Sequence, residues 1–243
     1  MSISKNQLKI ITSLSQKKYR IQHQLFIAEG VKVVHELLHS SFELESIFAT
    51  EDFVCDDFDD KLIRISETDL KKISFLKTPN KVVALFKIPV KKSIQKNGLI
   101  VVLDGINDPG NLGTIIRLCD WFGISQLICS TDTVDCFNPK VVQASMGSLT
   151  RISIDYLDLE PYLTQTKLPI FMADMKGENV YQKNLPKEAI LLMGNEANGV
   201  SPAIKKYANQ VISIPRFGEI QQTESLNVAT ATAILLSEFK RVQ

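Results

Sequence analysis

Three loops of the sequence carry polar residues whose types and spacing could bind a ligand or support catalysis. The loop at 104–111 contains Asn111, which can cap the helix that follows. Arg117 comes six residues later, inside that predicted helix, where the neighbouring residues are apolar. An arginine in such a helix must reach water, pair with an acid or serve a functional site. The loop matches neither the P-loop nor the G-x-G-x-x-G pattern, so nucleotide-phosphate binding of those kinds is not indicated.

The loop at 194–200 places Glu196 between two asparagines, with Gly194 and Gly199 on either side. Glycines permit unusual backbone angles and the close approach of a ligand. A turn that merely joins a strand to a helix would also use glycine, asparagine and a Ser-Pro cap. Such a turn gives no reason for Glu196, and this favours a functional site.

The loop at 215–225 ends at Ser225, which is well placed to cap a helix predicted at 226–240. That helix begins with small residues, including Ala229, Ala231 and Ala233, which allow very close packing. On these residues alone, a capped helix in the core or at an interface explains the segment.

The elements that must position these loops alternate between strand and helix from residue 99 onwards. Continuous apolar runs such as 99–103 and 189–193 are typical of strands buried on both faces. Strand–helix alternation predicts an α/β fold with a mostly parallel sheet, in which ligands bind at the carboxyl ends of the strands. The three loops lie at such ends. Further strands are predicted at 126–129, 151–154, 169–173 and 211–214, and further helices at 112–122, at 139–147 and from the Ser-Pro pair at 201–202.

The first part of the chain is predicted to form a separate, smaller α/β unit. Helical spacing covers 4–16, with Ser4 as a cap, and 31–39, and a third helix starts at 66. The polar, basic segment 89–98 separates this unit from the rest, which predicts domains at 1–90 and 98–243. Strands are predicted at 44–49, 62–65 and 82–88.

Composition and charge restrict the possible classes of function. A chain of 243 residues with 44% hydrophobic and 23% charged residues suits two globular domains. The net charge of +1 does not indicate nucleic-acid binding, but residues 1–28 carry five Lys or Arg and no acid, while 51–60 carry six acids. A local basic patch and an ordinary solvated helix face explain this asymmetry equally well.

The sequence also favours a soluble, cytoplasmic protein without a metal site. No apolar run approaches the roughly 20 residues needed to cross a bilayer, and the first 20 residues lack the apolar core of a signal peptide. The four cysteines lack C-x-x-C spacing, which favours free buried thiols over disulfides or a metal. His35 and His39 are spaced i, i+4, but no third ligand lies near them, which favours two surface histidines.

Together, and in this order, the three loops resemble the signature motifs of the SpoU (TrmH) family of RNA 2′-O-methyltransferases in the SPOUT superfamily. Weaker similarity extends to the N-terminal part, in KKYR, FIAEG and VVALF. Two features depart from the family pattern: Ala197 replaces a common glycine, and the 214–225 connection is long. The matching motifs are N-x-G-x-x-x-R (Asn111, Gly113, Arg117), G-N-E (Gly194, Asn195, Glu196), and I-P followed by S-L-N-V-A (Ile214, Pro215, Ser225 to Ala229).

The resemblance implies a parallel-sheet SPOUT domain with a trefoil knot, preceded by a small α/β (L30e-like) substrate-binding domain. It also implies a homodimer that takes S-adenosylmethionine as its cofactor and RNA, rather than DNA or a membrane, as its partner. The implied cofactor-binding residues are Met193, Gly194, Ile214, Ser225, Leu226 and Asn227. The implied catalytic residues are Arg117, Asn111, Glu196, Ser225 and Asn227, and the RNA contacts are Lys17, Lys18, Arg20 and Arg117.

The activity implied by the resemblance is methyl transfer from S-adenosylmethionine to a ribose 2′-hydroxyl of structured RNA, with ribosomal RNA favoured over transfer RNA. A catalytically silent RNA-binding protein on the same fold is the main alternative. Loss of the motif arginine or asparagine would favour that alternative, and both Arg117 and Asn111 are present. A dinucleotide-binding oxidoreductase, suggested by the alternation of strands and helices, lacks its glycine motif.

Overall fold

The computed structural model describes residues 3–55, 57–90, 94, 97–219 and 225–241. The chain divides into two compact units, one formed by 1–90 with 135–150 and the other by 91–134 with 151–243. The domain limits of 1–90 and 98–243 stay a prediction. The predicted 89–98 linker and the 214–225 connection lie partly outside the described residues, as does one position of the acidic 51–60 segment.

Helices and strands alternate along most of the described chain. The helices are α1 (Lys5–Ser13), α2 (Lys17–His23), α3 (Val31–Leu38), α4 (Glu67–Ile73), α5 (Pro109–Trp121), α6 (Pro139–Ser145), α7 (Leu159–Gln165), α8 (Pro202–Lys205) and α9 (Val228–Lys240). The strands are β1 (Leu25–Glu29), β2 (Leu44–Ala49), β3 (Leu62–Arg64), β4 (Val82–Lys87), β5 (Leu99–Asp104), β6 (Gln126–Cys129), β7 (Ser153–Tyr156), β8 (Ile170–Asn179), β9 (Ala189–Gly194) and β10 (Gln210–Ser213). In this part of the chain no helix is long and apolar enough to cross a membrane.

The first unit is built on a four-stranded mixed sheet in the order β1-β4-β2-β3. The predicted cap of α1 is confirmed, since Ser4 and Gln7 bond to each other's backbone N–H in a capping box. Apolar residues on the sheet and on the helices form one core, including Ile11, Phe48 and Leu85. Two elements of this unit, α2 and β1, were not predicted.

Residues 135–150, which lie between β6 and β7 in the sequence, belong to this first unit. Helix α6 packs against β1, and the ring of Phe137 lies 4.8 Å from that of Phe26. Gly147 has a φ of +92°, and a Cβ there would lie 2.6 Å from the Cβ of Glu36. The segment therefore contributes to the core of the first unit although it interrupts the second in sequence.

The second unit is built on a six-stranded sheet in the order β10-β8-β9-β5-β6-β7, and every neighbouring pair is parallel. All six residues of β5 are buried, as predicted for a strand covered on both faces. On one face, Leu159 and Leu163 of α7 pack with sheet residues such as Val102. Helix α5 packs against α9. The predicted parallel α/β architecture is confirmed.

Two predicted helix caps were wrong. Asp108, rather than Asn111, caps α5, and its carboxylate accepts a hydrogen bond from the Asn111 N–H at 2.8 Å. Asn227, rather than Ser225, caps α9, and its Oδ1 accepts from the N–H groups of Ala229 and Thr230. The side chains of Asn111 and Ser225 are therefore not used as helix caps and are available to the site described below.

Candidate functional site

The site begins where two neighbouring strands end. Strands β5 and β9 are parallel and in register through their last residues, so that Asp104 pairs with Gly194. The loops that follow, 105–108 and 195–200, therefore leave the sheet side by side. Parallel strands place their carboxyl ends at one edge, which is where α/β proteins bind ligands.

Three of the predicted site residues form a continuous chain of hydrogen bonds. Asn227 Nδ2 donates to Asn111 Oδ1 at 2.8 Å, and Asn111 Nδ2 donates to Glu196 Oε1 at 2.8 Å. Each residue comes from a different loop or helix start, and the residues lie 85 and 116 positions apart in sequence. The structure thus brings together one residue from each of the three motifs.

Gly194 occupies a position that no other residue type can fill without displacing backbone. A Cβ at this residue would lie 2.1 Å from Val200 N and 2.2 Å from Gly199 C. The backbone of Gly199 returns this close because its N–H and C=O exchange hydrogen bonds with Asn195 at 2.8 and 3.0 Å. Glycine is therefore required here to close the turn that carries Glu196.

The predicted cofactor residues combine apolar side chains with an irregular loop. Met193 is buried at the end of β9, Ile214 is half-buried after β10, and the Leu226 side chain is 49% exposed. Ser225 is exposed beside it. Residues 214–218 have no regular structure. Apolar side chains beside an irregular loop fit a flat heteroaromatic ligand such as adenine.

Arg117 lies on α5 between fully buried neighbours, Ile116 and Cys119, yet its own side chain is exposed. Within the described part of the chain its guanidinium makes no hydrogen bond or ion pair. Burial raises the pKa of the Cys119 thiol to about 12, so this neighbour is an uncharged core group rather than a nucleophile. The sequence left three interpretations of Arg117: contact with water, pairing with an acid, or a role in a functional site. Pairing with an acid is not observed, so the side chain faces solvent and is accessible to a ligand.

Two polar residues at the strand ends, Asp104 and Ser130, were missed by the sequence reasoning, and Asn195 was named only as a member of the G-N-E motif. Asp104 is buried, and its Oδ2 accepts from the Ser201 N–H at 2.7 Å. Ser130 and Asn195 both bond to the backbone of Gly105. The sequence does mark Asp104 and Ser130, because each is a polar residue directly after a continuous apolar run. At such a position a buried strand reaches the site.

The structure corrects one of the predicted RNA contacts. Lys17 and Lys18 are exposed on α2, but the Arg20 side chain is 2% exposed. Its Nε and Nη2 donate to Asp135 Oδ2 at 2.9 and 2.5 Å, and its Nη1 donates to the carbonyls of Leu14 and Ser15. With its donors committed to the protein interior, Arg20 cannot reach a phosphate and is a structural residue.

The cysteines and histidines take no part in the site. None of the four cysteines forms a disulfide; Cys119, Cys129 and Cys136 are buried, as predicted, whereas Cys55 is half-buried. His39 Nδ1 lies 2.7 Å from the carbonyl oxygen of His35 on α3. Over the residues that the structure describes, no group of three potential metal ligands occurs.

The sheet and its three loops define a SPOUT-type α/β protein, and the chain belongs to the SpoU rRNA Methylase family, which it matches over residues 98–237. Residues 5–84 match the MRM3-like substrate binding domain. The predicted family and fold class are confirmed, while the trefoil knot stays a prediction.

Individual relatives span the whole chain. The 23S rRNA (guanosine(2553)-2′-O)-methyltransferase RlmP of Bacillus subtilis is 29% identical over 241 residues, which cover 96% of each chain. A solved structure of a TrmH-family protein from Porphyromonas gingivalis is 38% identical, with a TM-score of 0.89 and full coverage of both chains. An AdoMet-bound rRNA methyltransferase from Sinorhizobium meliloti is 28% identical, with a TM-score of 0.85 and coverage of 100% and 97%.

Proposed function

We propose that the protein is an S-adenosylmethionine-dependent RNA methyltransferase that methylates a ribose 2′-hydroxyl of ribosomal RNA. The observation that carries the proposal is the chain Asn227–Asn111–Glu196, which links one residue of each family motif at the strand ends. Support also comes from the RlmP relative, which matches over 96% of its length and bears that activity in its name.

The cofactor would be held by the backbone around Gly194 and Ile214 and by the segment from Ser225 to Asn227. Leu226 and Ile214 offer apolar contact to adenine. When bound, S-adenosylmethionine supplies an electrophilic methyl group on a sulfonium. The residues of this chain then have two tasks, which are to orient the acceptor ribose and to exclude water.

Transfer would form a bond between the 2′-oxygen and the methyl carbon, break the carbon–sulfur bond to leave S-adenosylhomocysteine, and release the hydroxyl proton to water. Arginine is essentially always protonated and is therefore a poor base. Arg117 stabilises the negative charge that develops on the 2′-oxygen or holds the adjacent phosphate. Glu196, fixed by Asn111, contributes a carboxylate at the same edge of the sheet.

The proposal is tested with the purified protein, labelled S-adenosylmethionine and ribosomal RNA from a strain that lacks the gene. We expect label to enter one nucleotide, whose 2′-O-methyl group is present in RNA of the parent and absent in that of the deletion strain. If the protein binds this RNA but the maps of the two strains are identical and no label is transferred, the silent RNA-binding alternative is correct.

The N-terminal region 1–90 is proposed to select the RNA. Lys17 and Lys18 are exposed on α2 in a stretch free of acids. Replacing both by alanine should reduce the slope of log affinity against log salt by roughly one unit for each phosphate that a lysine no longer neutralises. The matched control is Lys72→Ala, which removes an exposed lysine paired with Asp69. An unchanged slope in the double variant would remove both lysines from the RNA interface.

The family pattern further supports a cytoplasmic homodimer with a knotted C-terminal domain. Two-fold dimers are the commonest soluble oligomers, and the small residues of α9 suit an interface between copies. Light scattering should report about twice the chain mass of 27.2 kDa. A mass equal to one chain at micromolar concentration would rule out the dimer.

A further inference from the structure

Gly105 accepts one hydrogen bond from, and donates one to, side chains that follow the two strands next to β5. It follows β5, which lies between β9 and β6 in the sheet. The N–H of Gly105 donates to Ser130 Oγ at 2.8 Å, and its C=O accepts from Asn195 Nδ2 at 2.7 Å. Ser130 follows β6 and Asn195 follows β9, so each neighbouring strand supplies one side chain to one backbone group.

Asn195 also shapes the turn that holds Glu196. Its Oδ1 accepts from the N–H groups of Ala197 at 2.9 Å and Asn198 at 3.3 Å. One amide side chain thus uses its oxygen to fold the Glu196 turn and its nitrogen to fasten that turn to Gly105. The two functions use different atoms, so they can be separated by mutation.

Ser130 is itself held in place. Its side chain is buried, its Oγ lies 3.0 Å from the Thr133 Oγ1, and Thr133 is 2% exposed. The Ser130 N–H donates to the carbonyl of Leu103 in β5 at 2.9 Å. The hydroxyl therefore presents a fixed acceptor to the Gly105 N–H.

We propose that Asn195 and Ser130 are positioning residues that act through Gly105 to set the distance between Asn111 and Glu196. Gly105 opens the loop that leads to Asn111, and Asn195 opens the turn that carries Glu196. The 2.8 Å bond between Asn111 and Glu196 depends on the relative position of these two loops. This inference rests on the proposed methyltransferase function and concerns the same site.

Two isosteric pairs isolate the hydrogen bonds to Gly105. Ser130→Thr keeps the acceptor oxygen, whereas Ser130→Val has nearly the same shape and lacks it. Asn195→Asp keeps the oxygen that folds the Glu196 turn, but it replaces the nitrogen that donates to Gly105 with a carboxylate oxygen that repels the Gly105 carbonyl. Asn138→Asp is the matched control, because Asn138 caps α6 through its oxygen and its amide nitrogen donates no hydrogen bond within the described residues.

The variants are compared as full-length proteins in the RNA methylation assay. Ser130→Val and Asn195→Asp should each lower kcat by roughly tenfold or more, the effect of one lost hydrogen bond to a buried group. Their affinity for S-adenosylmethionine should stay within about twofold, as should kcat of Ser130→Thr and Asn138→Asp. Because both side chains hold the same residue, the double variant should lose less than the product of the two single losses.

Amide hydrogen exchange provides a measurement that does not depend on activity. Residues 104–111 and 194–199 should exchange faster in Ser130→Val than in Ser130→Thr, even if the wild-type protein transfers no methyl group and the proposed function fails. Equal exchange in the two variants overturns the inference. If the wild-type enzyme is active, the inference is also overturned when Ser130→Val and Asn195→Asp keep kcat. It is equally overturned when their cofactor affinity and thermal stability fall in parallel with kcat.

Discussion

Asn227 Nδ2 lies 2.8 Å from Asn111 Oδ1, and this bond joins the start of the last helix to the first helix of the second unit. Asn227 caps α9 with its oxygen and reaches Asn111 with its nitrogen. Asn111 in turn uses its nitrogen to hold Glu196. Each amide has its oxygen and nitrogen committed to different partners, so the orientation of the site residues is fixed before any ligand binds.

Gly194→Ala should weaken the binding of S-adenosylmethionine by at least about tenfold, because the new Cβ would meet the backbone of Gly199 and Val200 and force the loop to move. Calorimetric titration of the folded variant measures the effect. An unchanged dissociation constant for folded Gly194→Ala would separate this loop from the cofactor.

Arg117→Ala should lower kcat by roughly 100-fold or more, the usual effect of removing a group that stabilises developing charge. Cofactor affinity should remain within about twofold. Arg117→Lys should be nearly as impaired because lysine lacks the planar fork of donors. Arg151→Lys, which changes an exposed arginine paired with Asp120, should stay active. Near-full turnover by Arg117→Lys would show that a guanidinium is not specifically required.

Arg20→Ala should lower the free energy of unfolding by about 3 kcal/mol, because it leaves the largely buried Asp135 carboxylate without its partner. Urea denaturation monitored by circular dichroism measures the change. Lys72→Ala, which removes an exposed lysine paired with Asp69, should leave the free energy of unfolding nearly unchanged. Equal stabilities of the two variants would contradict the structural role assigned to Arg20.

Glu29 should make the stability of the protein depend on pH. Burial raises the pKa of its carboxyl above the ordinary value of about 4.5, against hydrogen bonds from Ser74 and Phe75 that lower it. The folded state therefore binds more protons than the unfolded state in the window between the two pKa values, so the stabilising contribution of the protonated carboxyl is lost as pH rises through that window. Glu29→Gln cannot lose this proton.

The free energy of unfolding of Glu29→Gln, relative to wild type, should consequently increase as pH rises from about 4.5 and then level off. Each unit by which the pKa is raised adds about 1.4 kcal/mol to that difference. Parallel urea titrations at several pH values provide the measurement. A difference that stays constant, or shrinks with rising pH, would show that the pKa of Glu29 is not raised.

Much of the second unit could be predicted because its strands are continuous apolar runs. The strand at 126–129 was predicted to the residue, and 189–193 fell short of β9 by one. Helices α2 and α7 were missed because each has seven residues and too few apolar positions to show a period. The burial of Arg20 could not be predicted, since its partner lies 115 residues away in the sequence.

The predicted site residues came from the motifs, but the roles of their atoms did not. Asp108 and Asn111 are both good caps for α5, as are Ser225 and Asn227 for α9. The choice within each pair depends on tertiary partners, because Asn111 is engaged with Glu196 and Asn227 with Asn111. The contacts of Asn195 and Ser130 with Gly105 were not predicted because the partner is the backbone, which has no side chain to mark it.

The place of 135–150 within the first unit has a consequence for synthesis on the ribosome. When residue 90 has been made, Arg20 still lacks Asp135, and Phe26 lacks Phe137. The first unit cannot complete its core until about 60 further residues have been translated, among them β5, α5 and β6 of the second unit. Domains generally fold as units from the N-terminus during translation. Here the first unit completes its core only after part of the second unit has been translated. Nascent chains halted before residue 135 should therefore be more sensitive to proteases than those halted after residue 150.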